Sequence, residues 1–102
     1  VAVMLRKALH QRVDNDGITG ELHYVRDKDG REVDFAVVVE RKIESLIEVK
    51  RSDTELARPL RYFRDRLKPK EAVQLVQTAT RTLTVDGISV TPAAKWLDGL
   101  AG

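Results

Sequence analysis

The chain contains no cysteine. A disulfide framework, a cysteine-ligated zinc site and a thiol nucleophile are therefore excluded. No apolar run approaches the ~18 residues that span a bilayer, so no membrane-crossing helix is encoded. A phosphate-cradling glycine loop of the GxxxxGK type is missing, so nucleotide hydrolysis of that kind would belong to another module. There is no internal repeat and no low-complexity segment. The two histidines, His10 and His23, have no second histidine at ligand spacing, which favours surface or packing roles. Residues 1–9 carry an early Arg6-Lys7 pair and no small-residue cleavage pattern, so they do not read as a signal peptide, and a cytoplasmic setting is expected.

What remains is a chain of 102 residues, a length that suits one domain. Its 42% hydrophobic and 33% charged residues are those of a globular protein, not a disordered tail. The net charge of +2 is unevenly spread. Residues 50–70 hold eight basic side chains against three acidic ones, a surplus of five, which leaves −3 on the rest. Such a basic section beside an acidic one hints at a polyanion partner. A solvated helix face would show the same bias.

The pattern along the chain alternates between the two periods of secondary structure. Val1, Met4, Leu5, Ala8 and Leu9 follow a helical period, with no capping residue ahead of them; a longer parent protein is expected. Asp14-Asn15-Asp16-Gly17 ends that helix. Residues 21–26 alternate as a strand, Asp27-Lys28-Asp29-Gly30 forms a tight turn, and residues 32–39 are strongly β-forming. Glu40-Arg41-Lys42 marks a second reversal into a strand over residues 43–49. These three strands make an antiparallel meander.

A helix follows, capped by Ser52 or Asp53 and running to about Leu67, with the stripe Leu56, Leu60, Phe63, Leu67. Pro59 offers an alternative start for it. Residues 72–78 read as a buried fourth strand, residues 82–90 as a short hairpin around Gly87, and Pro92 as the start of a last helical turn or two. The fold class expected is α/β: a mixed sheet of four or so strands, with a helix crossover after the meander and helices on both faces.

The chemistry concentrates in Glu32-Val33-Asp34 and Glu48-Val49-Lys50. If Glu40-Arg41-Lys42 is a three-residue connection, Val39 faces Ile43, Asp34 falls opposite Glu48, and Glu32 opposite Lys50. Opposed residues of an antiparallel pair share a face with Cβ atoms about 4.5–5.5 Å apart. Two carboxylates so placed repel unless a cation lies between them, and magnesium, which takes oxygen ligands and keeps several waters, suits the pair. Lys50 beside it can orient or deprotonate a water, or hold a phosphate oxygen. A bulge or a two-residue turn would put the two acids on opposite faces. The competing reading is a solvated hairpin face in which Glu32 and Lys50 form an ordinary salt bridge. Arg58, Arg61 and Arg64 lie off the apolar stripe of their helix and are candidates for a phosphate backbone. Gln74 and Gln77 carry no forced role, and Trp96 reads as a lid over the sheet rather than a base-stacking platform.

The segments Tyr24-Val25-Arg26-Asp27, Gly30-Arg31-Glu32-Val33-Asp34-Phe35 and Ile47-Glu48-Val49-Lys50-Arg51-Ser52 resemble the PD-(D/E)XK nuclease superfamily. With the ending Ile88-Ser89-Val90-Thr91-Pro92-Ala93-Ala94-Lys95-Trp96-Leu97, they resemble more narrowly the C-terminal domain of unknown function attached to prokaryotic AAA-type ATPases. The resemblance implies a restriction-endonuclease-like fold over residues 1–102 and an upstream ATPase module. It also implies magnesium-dependent cleavage of phosphodiester bonds, usually in DNA. Asp34 and Glu48 match the metal-binding acids, and Lys50 the lysine. Two features depart from the pattern: Asp34 follows Val33 instead of proline, and the first-helix glutamate of many active members would precede Val1. A non-catalytic nucleic-acid-binding or regulatory module of an ATPase is the alternative expectation. A purely structural dimerisation domain is a third.

Overall fold

The computed structural model describes residues 20–52 and 54–101, together with Arg6 and Lys7. Arg6 and Lys7 are helical; the rest of the expected first helix, the turn at Asp14-Asn15-Asp16-Gly17 and Asp53 lie outside the described residues.

Alternation and β-branched side chains produce β1 (Gly20–Arg26), β2 (Glu32–Val39) and β3 (Lys42–Lys50). The β1–β2 turn closes on Gly30, whose φ of 85° suits a residue without a Cβ. Asp27 fastens it by accepting the Asp29 and Arg31 backbone N–H groups at 3.0 and 2.9 Å. After the meander the chain crosses over through helix α1 (Arg58–Leu67) to β4 (Glu71–Val76). A hairpin, β5 (Leu83–Val85) and β6 (Ile88–Pro92), and helix α2 (Ala93–Ala101) complete the order. The described strands form one six-stranded sheet in the order β1-β2-β3-β4-β6-β5. Within it β3, β4 and β6 are parallel and the flanking pairs antiparallel. The mixed α/β class expected from sequence therefore holds, with the hairpin adding two strands to the four.

Helix α1 starts later than a cap at Ser52 or Asp53 would place it. Ala57 is its N-cap, and Pro59 lies in its first turn, where a missing N–H costs nothing. Leu60 and Phe63 bury, while Leu67 at the end of the stripe is 40% exposed. Pro92 belongs to β6, and the last helix begins one residue later.

Each face of the sheet carries its own apolar cluster. Val33, Ala36, Leu46, Ala72 and Ile88 pack beneath Leu60 and Phe63 of α1. Val37, Ile47, Val73 and Leu75 pack beneath Ala93 and Leu97 of α2, with Trp96 half-buried against them. Trp96 thus covers the sheet as expected.

Candidate metal centre

The connection between β2 and β3 is shorter than expected, and the strands correct for it. Val39 pairs with Lys42, so the turn is the two residues Glu40 and Arg41, both at positive φ (53° and 66°). That is the left-handed pair a tight hairpin turn requires. By itself this turn would throw Asp34 and Glu48 onto opposite faces. A bulge cancels the slip: Val38 pairs with Ile43 but Val37 with Ser45, leaving Glu44 as the extra residue on β3. From there the pairs Ala36–Leu46 and Phe35–Ile47 restore the register in which Asp34 comes next to Glu48.

At that point the main-chain ladder opens and side chains take its place. The Asp34 backbone N–H donates to Glu48 Oε1 at 3.3 Å, and the Val49 backbone N–H donates to Asp34 Oδ2 at 2.9 Å. A second bulge contributes: Val25 pairs with Val33 but His23 with Ala36, so Asp34 and Phe35 together oppose Tyr24. The two carboxyls are thereby fixed against each other across the strands, each held by the opposite backbone.

Glu48 is 7% exposed. Burial, a hydrogen bond shared with Asp34 and the Asp34 charge push its carboxyl up to about 7, outweighing the lowering effect of Lys50. Lys50 Nζ stands 3.9 Å from Glu48 Oε2. Near neutral pH the acid pair thus holds a proton that an isolated glutamate would have released. Magnesium needs only one or two carboxylates and keeps waters for its remaining positions. A divalent cation could substitute for that proton, so the donor set fits one. Among the described residues no cluster of three or more acids or histidines accompanies the pair.

Gln74 is the neighbour that the sequence left without a forced role. It is fully buried and paired in register with Glu48. Its carboxamide accepts the Ala57 backbone N–H and donates to the Glu55 carbonyl, both at 2.9 Å. Ala57 has no side-chain oxygen to cap α1, and Gln74 ties down the helix start from the sheet instead. Gln77 is exposed in the turn after β4.

The remaining sequence candidates separate. Glu32 accepts a hydrogen bond from the Tyr24 hydroxyl and pairs with Arg26 on β1, and Lys50 stands beside Glu48 instead of forming the Glu32–Lys50 salt bridge of the competing reading. Arg61 Nε and Arg64 Nη2 converge on Asp86 Oδ2, at 3.0 and 2.9 Å, so a carboxylate of the β5–β6 turn already occupies them. Arg58 is exposed at the start of α1. His23 is exposed and bonded to Glu21 at 2.8 Å; His10 lies outside the described residues. No described helix is long and apolar enough to cross a membrane.

No curated protein matches the chain. No solved structure matches it either. A family model described as a domain of unknown function, DUF4143, matches residues 3–96, nearly the whole length, and the chain belongs to that family.

Proposed function

We propose that Asp34, Glu48 and Lys50 form a nuclease-like centre that holds a divalent cation and acts on phosphodiester bonds, most naturally in DNA. The observation that carries this reading is the carboxyl pair, locked across opposite strands with the Lys50 ammonium beside Glu48. Magnesium, when bound, would supply Lewis-acid polarisation of a phosphoryl oxygen and a more acidic water. Asp34 and Glu48 would hold it. Lys50, 38% exposed at its side chain, reaches solvent and can orient a water or a phosphate oxygen. The sequence resemblance to PD-(D/E)XK nucleases supports the same roles and adds a restriction-endonuclease-like fold and an upstream AAA-type ATPase module to the proposal.

The test is a cleavage assay on DNA with the full-length protein, with and without magnesium, beside Lys50→Ala and Asp34→Asn. Magnesium-dependent cleavage lost in both variants is the expected result. Cleavage that survives Asp34→Asn removes the catalytic reading.

The second reading is a non-catalytic module that binds nucleic acid or regulates its ATPase partner. It is favoured by the pair of acids standing without a third among the described residues. It predicts DNA affinity without cleavage, weakened by salt and by Arg58→Ala.

A further inference from the structure

On the opposite face of the sheet from the acid pair lies a cavity of about 480 Å³ lined by Glu71, Thr82, Ser89, Thr91, Lys95, Trp96 and Gly99. Its volume is that of a small-ligand site. The sheet supplies its floor. Ser89 pairs with Val73, and Thr91 with Leu75, so both hydroxyls point to the side on which α2 packs. Thr82 reaches Thr91 from the hairpin approach, hydroxyl to hydroxyl at 2.8 Å. Glu71 enters at the start of β4, with Oε1 accepting from the buried Ser45 hydroxyl at 3.0 Å. That bond steadies the carboxylate. Helix α2 supplies the wall: the half-buried Trp96 indole and, one turn on, Gly99.

Gly99 is the independent pointer. Gly99 stands in the last turn of α2, where glycine is a poorer helix former than alanine. Here no packing requires it: a Cβ added at Gly99 meets nothing within 4 Å. Its backbone is not in the left-handed region that would demand glycine. Gly99 is exposed and lines the same cavity as Trp96, three residues earlier on the helix, so a large side chain there has open space to extend into.

We propose that this cavity binds a polyhydroxylated ring, a sugar or the ribose of a nucleoside. An apolar ring face suits the Trp96 indole, and the ring hydroxyls suit the Glu71 carboxylate and the Ser89, Thr82 and Thr91 hydroxyls. Three hydroxyls, the Glu71 carboxylate and the Lys95 ammonium offer donors and acceptors to the edge of such a ring, and Trp96 offers a plane to its face. The site does not depend on the acid pair across the sheet.

Trp96 is the single tryptophan of the chain, so its emission reports the cavity directly. The full chain is titrated with D-ribose, D-glucose and uridine at millimolar concentrations. A saturable change in emission is expected with at least one of them. Response to uridine alone identifies a nucleoside, and response to the free sugars identifies the ring itself. Glu71→Gln should weaken binding about tenfold or more, as expected when a charged hydrogen-bond acceptor is lost. Gly99→Leu should abolish the response while leaving the thermal midpoint no lower than that of the parent, because leucine is the better helix former. The proposal is overturned if none of the three probes gives a saturable change, or if Gly99→Leu titrates like the parent.

Discussion

Replacing Glu48 by glutamine should stabilise this protein at pH 8 and leave it nearly unchanged at pH 5. The reason is the proton shared with Asp34. The Glu48 carboxyl titrates near 7 in the folded chain against an ordinary value of 4.5. Between those two values the native state keeps a proton that the unfolded chain has released. Stability therefore falls as the pH rises through this window, and above it the folded protein must hold a second buried negative charge beside Asp34. At ~1.4 kcal/mol per pH unit, the full displacement from 4.5 to about 7 amounts to an upper bound of about 3–4 kcal/mol. Glutamine never ionises, and its amide oxygen can still accept the Asp34 backbone N–H. Urea unfolding at the two pH values, with the slope unchanged and the midpoint moved, measures the difference. The gain at pH 8 should approach the bound, and at pH 5 the two proteins should agree within about 1 kcal/mol. A Glu48→Gln protein less stable than the parent at pH 8 would be the opposite outcome. It would mean that the attraction between Glu48 and Lys50 outweighs burial and the neighbouring acid.

Three further outcomes follow from the same geometry. Deleting Glu44 takes out the extra residue of the bulge and leaves Val38–Ile43, Val37–Ser45 and Phe35–Ile47 as partners in a regular hairpin, so Asp34 should stay beside Glu48 and Glu48 should still titrate above its ordinary range, readable by carboxyl-carbon NMR. Lys50→Ala removes a positive charge that favours ionised Glu48, and the same measurement should show its midpoint moving higher still. Gln74→Leu leaves the Ala57 N–H and the Glu55 carbonyl without their partner and should lower stability by about 2–3 kcal/mol in urea unfolding.

Strand periodicity located β2 over its full length, because a run of Val33, Phe35, Val37, Val38 and Val39 has few other uses. The meander, the crossover and the α1 stripe were legible for the same reason: apolar spacing reports which side chains must leave water. The start of α1 was legible in the alternative that Pro59 marks its first turn, but the Gln74 carboxamide that ties down the N-cap residue Ala57 was not, because it comes from seventeen residues along the chain. The side-by-side placement of Asp34 and Glu48 was anticipated through a three-residue connection that does not exist. A tight turn and a bulge together give the same register, and a bulge leaves no mark in composition. The convergence of Arg61 and Arg64 on Asp86 was equally hidden, since ion-pair partners from separate elements meet only once the fold brings the hairpin to the helix. The cavity beside Trp96 draws on β4, the hairpin and α2, and only the unforced glycine at residue 99 marks it in the sequence.

Asp34 and Glu48 face each other closely enough to share one proton, and a divalent cation that binds them must displace it. The decisive experiment is a carboxyl-carbon NMR titration of Glu48, in the parent and in Asp34→Asn, with and without magnesium. The midpoint should lie near 7 in the parent, fall when Asp34 is neutralised, and fall again when magnesium is added to the parent. A Glu48 midpoint in the ordinary carboxylate range in both proteins, indifferent to the metal, would contradict the shared proton.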